Sequence, residues 1–435
     1  MGGQIRRKGD LSMSENNNKT GQAAPAKPKR PKAKSMIMLG EQTAALAENT
    51  RLAKERGEKI GWSTSIFPQE IPEALGLYIQ YPENVGAGVA ARKQADPYLQ
   101  MAEGPLEYNN DICSYAKINL AYAEAMSDSG ALVMPDFLLV ANNICNQVTK
   151  WFENLSKTLN IPLFMIDTCY NSEDYVTESR VKYIRSQLDQ CIKDLSEFTG
   201  KKWDEKRFIE VMDISAKNKE LWIRANELLA NDPAPMNGFE LFNYMSTMVC
   251  NRGKASTTEI LTQLNQEIDE HLKNGTSTYP VEQQYRVFWD GIACWPYLGH
   301  NLRTLKQYGI NMVGSGYVKA WALDYESNDL DGMAKAYSYC PANNNNMSTF
   351  IKRRADAIKQ FKCDGVIFHI NRACKVMDCQ QLEAHRRISE ITGVPYVGFD
   401  GDQADYRNFS EAQFETRIQG LVEVMKARKE AQQNG

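Results

Sequence analysis

Six short apolar runs rich in β-branched and aromatic residues punctuate the chain: DFLLVA (136–141), IPLFMID (161–167), YRVFWDGIA (285–293), INMVGSGYV (310–318), DGVIFHI (364–370) and GVPYVGFDG (393–401). Between them lie stretches of helical period, among them NQVTKWFENLSKTL, LEAHRRISEITG and SEAQFETRIQGLVEVMKARK. Strand and helix taking turns predicts parallel sheets, because parallel neighbours need a long crossover and a helix is the usual one. The last helical stretch opens with Ser410 and Gln413 in capping-box spacing. It gathers Phe414, Ile418, Leu421, Val422 and Met425 on one face, and ends in Lys426, Arg428 and Lys429.

The alternation is interrupted between residues 204 and 284. There DEKRFIEVMDISAKNKELWIRANELLAN spaces Phe208, Val211, Met212, Leu221, Trp222, Ala225, Leu228 and Leu229 at helical intervals, and DPAP follows as a stop. The expected fold is therefore α/β. Two doubly wound, mainly parallel-sheet domains occupy residues 58–203 and 285–435, with a helical insert at 204–284. MIMLGEQTAALAENTRLAKERG predicts a helical arm over 36–57. Residues 1–35 carry nine Lys/Arg against two acids and few large apolar side chains, the composition of a disordered basic tail. Without it the remainder holds 42 basic and 52 acidic residues, a net charge near −10, which argues against nucleic-acid binding by the body.

A hydrophobic content of 43% supports packed cores. No run approaches the roughly 18 apolar residues of a membrane span, and no apolar signal region opens the chain. A cytoplasmic location is the expectation, and there ten cysteines are free, metal-bound or redox-active rather than disulfide-paired.

Their positions then carry the information. Ligands of open α/β sheets gather outside the carboxyl ends of strands, where helix N-termini point outward. Cys145 follows DFLLVA and opens NQVTKWF. Cys374 follows VIFHI, with Cys379 close behind, and Cys113 follows Asp111, a candidate helix cap. At a helix N-terminus a thiol is expected to have a lowered pKa, and the thiolate is the form that binds metal. Cys169 and Cys294 also follow strands. Cys191, Cys250 and Cys340 fall in helix or loop patterns, and Cys363 precedes its strand. No C-x2-C pair occurs, so zinc fingers and bacterial ferredoxin sites are excluded. Three thiols from separate segments could hold an iron–sulfur cluster with one iron lacking a cysteine; equally, such residues serve as small buried hydrophobes.

Other motifs exclude more than they include. GSGYVK (314–319) begins like a phosphate loop but lacks its later glycine, and no Walker A sequence is present. The four histidines, 271, 300, 369 and 385, show no zinc-protease grouping; His369, within a strand run, is a core residue. No G-x-S-x-G elbow occurs.

Several blocks resemble the larger, α-type subunit of the 2-hydroxyacyl-CoA dehydratases, in matching order from about residue 50 onward. They are RGEKIGWSTSIFPQEIPEALGLYIQYPENVGAG, YNNDICSYAKINLAYA, MPDFLLVANNICNQVTKWFENL, KYIRSQLDQ, NGFELFN, VIFHINRACK and GFDGDQADYRNFSEAQFETRIQGLVEVM. The resemblance implies an oxygen-sensitive enzyme of anaerobic fermentation that removes water from an (R)-2-hydroxyacyl-CoA to give the (E)-2-enoyl-CoA. It implies one [4Fe-4S] cluster per subunit, held by three cysteines. In the DICSY, NNIC and NRACK motifs these are Cys113, Cys145 and Cys374, which leaves Cys379 surplus. Ala373 stands where a Ser is common, and Cys169 replaces an apolar residue.

The implied reaction must remove a C3 proton that the thioester does not acidify, a gap beyond ordinary side-chain pKa tuning. One-electron reduction to a ketyl radical expels the hydroxyl and makes that proton acidic. The resemblance further assigns Ser65, in GWSTS, a hydrogen bond beside the open iron, and Glu83, in YPEN, the handling of a proton or the leaving hydroxyl. From sequence alone Ser65 would also serve as a helix cap, and Glu83 as a solvent-facing turn acid. A smaller β-type subunit with its own cluster, completing a heterodimer, and an ATP-dependent iron–sulfur activator protein are implied partners, since this chain has no ATP site of its own. Two other readings stay open: a subunit of a benzoyl-CoA-reductase-like acyl-CoA reductase, and a non-catalytic iron–sulfur electron-relay subunit. The acyl group is likewise open among lactoyl, 2-hydroxyglutaryl, aryl-lactyl and branched aliphatic.

Overall fold

Two parallel sheets of the same strand order organise the computed structural model, which describes residues 32–125, 132–340 and 345–434. The first contains β1 (Ile60–Ser63), β2 (Tyr78–Gln80), β3 (Phe137–Ala141) and β4 (Leu163–Ile166) in the order β2-β1-β3-β4. The second contains β5 (Tyr285–Asp290), β6 (Ile310–Ser315), β7 (Gly365–Asn371) and β8 (Tyr396–Gly401) in the order β6-β5-β7-β8. All six pairings are parallel, with Gly61 beside both Ile79 and Phe137 in the first sheet and Val287 beside Met312 and Gly365 in the second. In each sheet the first strand lies between the second and the third, so the connections leave it in opposite directions. That reversal opens a crevice at the carboxyl ends. The predicted α/β class and parallel sheets are thus present.

Alternate residues of β3 enter different apolar clusters. Phe137, Leu139 and Ala141 join a core that runs through Trp222 of the helix Glu205–Glu227 to Trp289 of β5. Leu138 and Val140 pack with Trp62, Trp151 and Phe152. Both faces of the strand are therefore covered, as a two-residue side-chain repeat requires when a sheet has helices on either side. Each fully buried Trp, Phe or Leu contributes about 1.5–3 kcal/mol relative to exposure.

The helices Glu205–Glu227, Leu241–Cys250 and Ala255–Asn274 lie in the chain between the two sheets. The predicted arm is a helix from Lys34 to Glu55, starting two residues before the expected position. It packs rather than projects: Ser35 Oγ bonds Tyr244 Oη at 2.6 Å, and Gln42 Nε2 donates to Ser256 Oγ at 2.7 Å. The last helix, Glu411–Asn434, has its N-terminus capped by Ser410, whose Oγ accepts from Gln413 N–H at 3.4 Å, and it buries Phe414, Ile418, Leu421 and Met425. Of the expected basic tail, residues 1–31 lie outside the described residues.

Candidate active site

Three cysteines start three helices, two of them just past the carboxyl ends of strands. Cys145, four residues past β3, is the N-cap of Asn146–Leu159 and accepts Val148 N–H on Sγ at 3.4 Å. Cys374, three residues past β7, is the N-cap of Lys375–Thr392. Cys113 is itself the N-cap of Ser114–Glu124. The expected cap Asp111 is instead exposed and lies 3.6 Å from Lys375 Nζ.

The three half-buried thiols line one cavity of about 600 Å³, together with Asn142, Asn143 and Thr168. Among the described residues no carboxylate or imidazole lines it. The other cysteines lie elsewhere. Cys379 is exposed one turn into its helix. Cys294 is buried and donates to the Asp402 carbonyl at 3.2 Å, and Cys169 is exposed. Among the described residues no three His, Cys, Asp or Glu side chains converge as ligands of a single ion.

The expected lowering of the thiol pKa values is not found. Desolvation pushes Cys145 up to about 11 and Cys374 up to about 12, and raises Cys113 too. Backbone N–H groups of the helix starts, such as those of Val148 and Met377, pull downward, but burial outweighs them. Mutual repulsion adds to the effect: Cys145 and Cys374 both raise Cys113. Deprotonation of these thiols therefore needs a compensating positive charge, which is what metal coordination supplies.

Ser65, two residues past β1, is buried, and its backbone N–H donates to Glu83 Oε2 at 2.6 Å. It caps no helix, the nearest one, Glu70–Ala74, having Gln69 at its N-cap. Glu83 sits in the first turn of Pro82–Ala91 and is half-buried rather than solvent-facing. Burial raises its carboxyl above the usual range, against the opposing pull of the Ser65 hydroxyl and N–H. Both residues line a second cavity of about 410 Å³. Tyr115, two residues after Cys113, also lines it, and the charge of Glu83 raises Cys145, so the cavities lie within electrostatic reach of each other.

Several residues escaped the sequence reading. Trp295 Nε1–H donates to Tyr115 Oη at 2.5 Å. Gln403 Nε2 donates to Cys113 Sγ at 3.1 Å while its Oε1 accepts from Asn371 Nδ2. Asp402 Oδ1 accepts Ser114 Oγ–H at 2.7 Å. The loop after β8 thus clamps the Cys113 helix start onto the second sheet. The only signal for it in the sequence was the GFDGDQ block itself.

The chain matches the family described as 2-hydroxyglutaryl-CoA dehydratase, D-component, over residues 64–425. It is 50% identical over 400 residues to the (R)-2-hydroxyisocaproyl-CoA dehydratase alpha subunit of Clostridioides difficile, covering 92% of this chain and 98% of that one. It is 47% identical over 381 residues to the (R)-phenyllactyl-CoA dehydratase alpha subunit of Clostridium sporogenes, covering 87% and 93%. Against the (R)-2-hydroxyglutaryl-CoA dehydratase alpha subunit of Acidaminococcus fermentans it is 38% identical over 454 aligned positions, covering 87% and 94%. The ordered motif blocks and these matches together make the chain a member of the 2-hydroxyglutaryl-CoA dehydratase D-component family.

Proposed function

We propose that the chain is the catalytic subunit of an (R)-2-hydroxyacyl-CoA dehydratase, a hydro-lyase yielding the (E)-2-enoyl-CoA. One observation carries this reading: a cavity of three helix-capping thiols lies within electrostatic reach of the Ser65–Glu83 pair. The donor set suits an iron–sulfur cluster. Cys113, Cys145 and Cys374 present sulfur alone, and three helix starts direct partial positive charge toward them. Ligands on separate corners of a cluster need not converge on one point, in keeping with the absence of a single-ion site among the described residues. Such a [4Fe-4S] cluster, with one iron free of cysteine, would supply one electron and a Lewis-acid corner for the thioester carbonyl.

The remaining chemistry falls to side chains. Burial raises the Glu83 carboxyl, and its Oε2 accepts Ser65 N–H, so in the protonated acid Oε1 carries the proton that is offered to the departing hydroxyl. The hydrogen-bonded Tyr115–Trp295 pair lines the same cavity as Glu83.

The relatives' names as alpha subunits support a heterodimer with a smaller β-type subunit. Without a phosphate loop, the chain would draw its electron from a separate ATP-dependent iron–sulfur activator. Among the described residues no helix is long and apolar enough to cross a membrane, and no disulfide is present, which suits a reducing compartment. The strand order supports doubly wound sheets, with the divisions 58–203, 204–284 and 285–435 as their frame.

The test is anaerobic co-purification with the partner subunit and activator, then addition of ATP, a low-potential reductant and a 2-hydroxyacyl-CoA. Enoyl-CoA should form. Alanine at Cys113, Cys145 or Cys374 should each lower iron content and abolish turnover. Unchanged iron in all three variants would remove the ligand assignment, and a reduced ring product without loss of water would replace a dehydratase by an acyl-CoA reductase.

A further inference from the structure

The walls of the Ser65–Glu83 cavity are asymmetric. The helix Leu241–Cys250 presents Phe242, Met245 and Val249 to it at i, i+3 and i+7, an apolar stripe flanked by Ser246. All three are nearly excluded from solvent, as is Trp321. Trp295 crosses Phe242 edge-on at 5.9 Å between ring centroids, extending this wall toward Tyr115. The helix Pro82–Ala91 lines the cavity with Val85 and, beyond it, the small residues Ala87, Gly88 and Ala91. Large side chains on one wall and small ones on the other leave a hydrocarbon-lined slot rather than a filled core.

Charge is distributed with equal asymmetry. Arg92 is the one cation among the described residues that line this cavity. It lies at the exposed rim and donates Nε–H to Gln94 Oε1 at 3.0 Å. Thr43 and Asn243, the other exposed polar groups, are rim residues too. Away from the rim stand the buried Ser65, the acid Glu83 and the uncharged polar groups of Asn84, Ser246, Tyr115 and Tyr317. A carboxylate carried on the acyl chain would therefore lose its hydration without gaining a cation, and would sit near another acid. A methyl group, by contrast, would leave most of about 410 Å³ unfilled.

We propose that this slot takes the side chain of the 2-hydroxyacyl thioester and selects a bulky uncharged hydrocarbon, branched aliphatic or aryl, over a methyl group or a carboxylate-bearing chain. The proposal rests on the dehydratase reading for the identity of the thioester. It goes beyond that reading in assigning Phe242, Met245, Val249 and Trp321 as the specificity wall.

The test uses the assembled complex with its partner subunit. Calorimetric titration without activator, so that nothing turns over, measures binding of 2-hydroxyisocaproyl-, phenyllactyl-, lactoyl- and 2-hydroxyglutaryl-CoA. Dehydration of the same four is then followed with activator. The two hydrocarbon thioesters should bind at least about tenfold more tightly and show a correspondingly higher kcat/KM. Ala87→Leu, which narrows the slot from the small side, should weaken phenyllactyl-CoA about tenfold or more and lactoyl-CoA little. If 2-hydroxyglutaryl- or lactoyl-CoA binds as tightly as the hydrocarbon pair, the slot assignment fails even where dehydration proceeds. If the hydrocarbon pair binds preferentially and none of the four is dehydrated, the slot assignment stands and the reaction assignment fails.

Discussion

The backbone N–H of Ser65 donates to Oε2 of Glu83 at 2.6 Å, tying the turn after β1 to the first turn of Pro82–Ala91. Only one carboxyl oxygen is committed to the protein backbone by this bond, and burial favours the neutral acid. Glu83→Gln keeps an oxygen to accept Ser65 N–H and removes the proton. Turnover should fall about a hundred- to ten-thousandfold with substrate affinity nearly unchanged. Binding titration and steady-state kinetics of the variant complex check this; an equal loss in kcat and in affinity would point to a packing role instead.

The pH dependence has a definite sign. In its proposed role as an acid, Glu83 acts in the protonated form, and its pKa is raised by burial. Turnover should therefore hold on the acidic side and decline as pH rises through that elevated pKa. In Glu83→Gln the residual rate should lack this alkaline decline. Rate profiles of the two proteins, recorded over a pH range in which the activator stays functional, decide the matter.

The parts of this molecule that local patterns could reveal were those with enough residues to make a pattern. The apolar runs that became β3 to β8 announced themselves, and NQVTKWFENLSKTL is the helix Asn146–Leu159 to the residue. The strands β1 and β2 did not, being IGWS and YIQ, too short to display alternation. Gly61 is the informative case. A Cβ there would lie 2.6 Å from the Phe137 ring and 2.7 Å from Ile79, so the glycine that weakens the strand signal is what lets β1 fit between its neighbours. Junction counting placed thiols at helix starts, but it could not choose among Cys113, Cys145, Cys374, Cys379, Cys169 and Cys294. That choice depends on which helix starts meet across the fold. The pKa direction was missed for a related reason: a helix terminus can be read from sequence, whereas desolvation depends on everything packed around it.

Glu70 and Arg252 form a fully buried ion pair, Nε to Oε1 3.1 Å, that joins the segment after β1 to the helical region. Ser215 Oγ, at 2.6 Å, and Tyr325 both donate to Glu70 Oε1, and Arg252 Nη2 also meets Tyr337 Oη. Removing one partner leaves the other charge buried, so Arg252→Met should cost about 3–5 kcal/mol, read from the urea midpoint. The double variant with Glu70→Leu should recover much of that loss.

Acid should weaken the same network. Burial alone would raise Glu70, but Arg252 with Ser215 and Tyr325 holds it below its ordinary 4.5. A depressed carboxyl contributes stability that is complete above the unfolded pKa and is lost as pH falls through the folded one. His369 acts in the same direction over a higher window: burial lowers it from 6.5 to about 4, so between those values the unfolded chain takes up a proton that the folded one refuses. Urea midpoints should therefore fall from pH 6.5 toward pH 4, and more shallowly in His369→Gln. An unaltered slope in that variant would assign the loss to other groups.

Gln403 ties the Cys113 helix start to the second sheet, donating Nε2–H to Cys113 Sγ at 3.1 Å and accepting from Asn371 through Oε1. A hydrogen bond to a coordinating sulfur stabilises its negative charge, and that service matters most for a thiol which burial otherwise keeps protonated. Gln403→Leu removes the donor and leaves Asn371 without its acceptor, while the flanking bonds from Ala404 N–H and Asp405 N–H to Asp402 keep the loop in shape. With Cys113 holding iron as proposed, iron should be lost to a chelator about ten- to a hundredfold more readily, with the urea midpoint shifted little. Gln403→Glu should be worse than Leu, because it sets a carboxylate against the sulfur. Equal iron retention in the native, Leu and Glu proteins would reduce Gln403 to a packing residue; a loss graded in that order, without global destabilisation, makes it a positioning residue for Cys113.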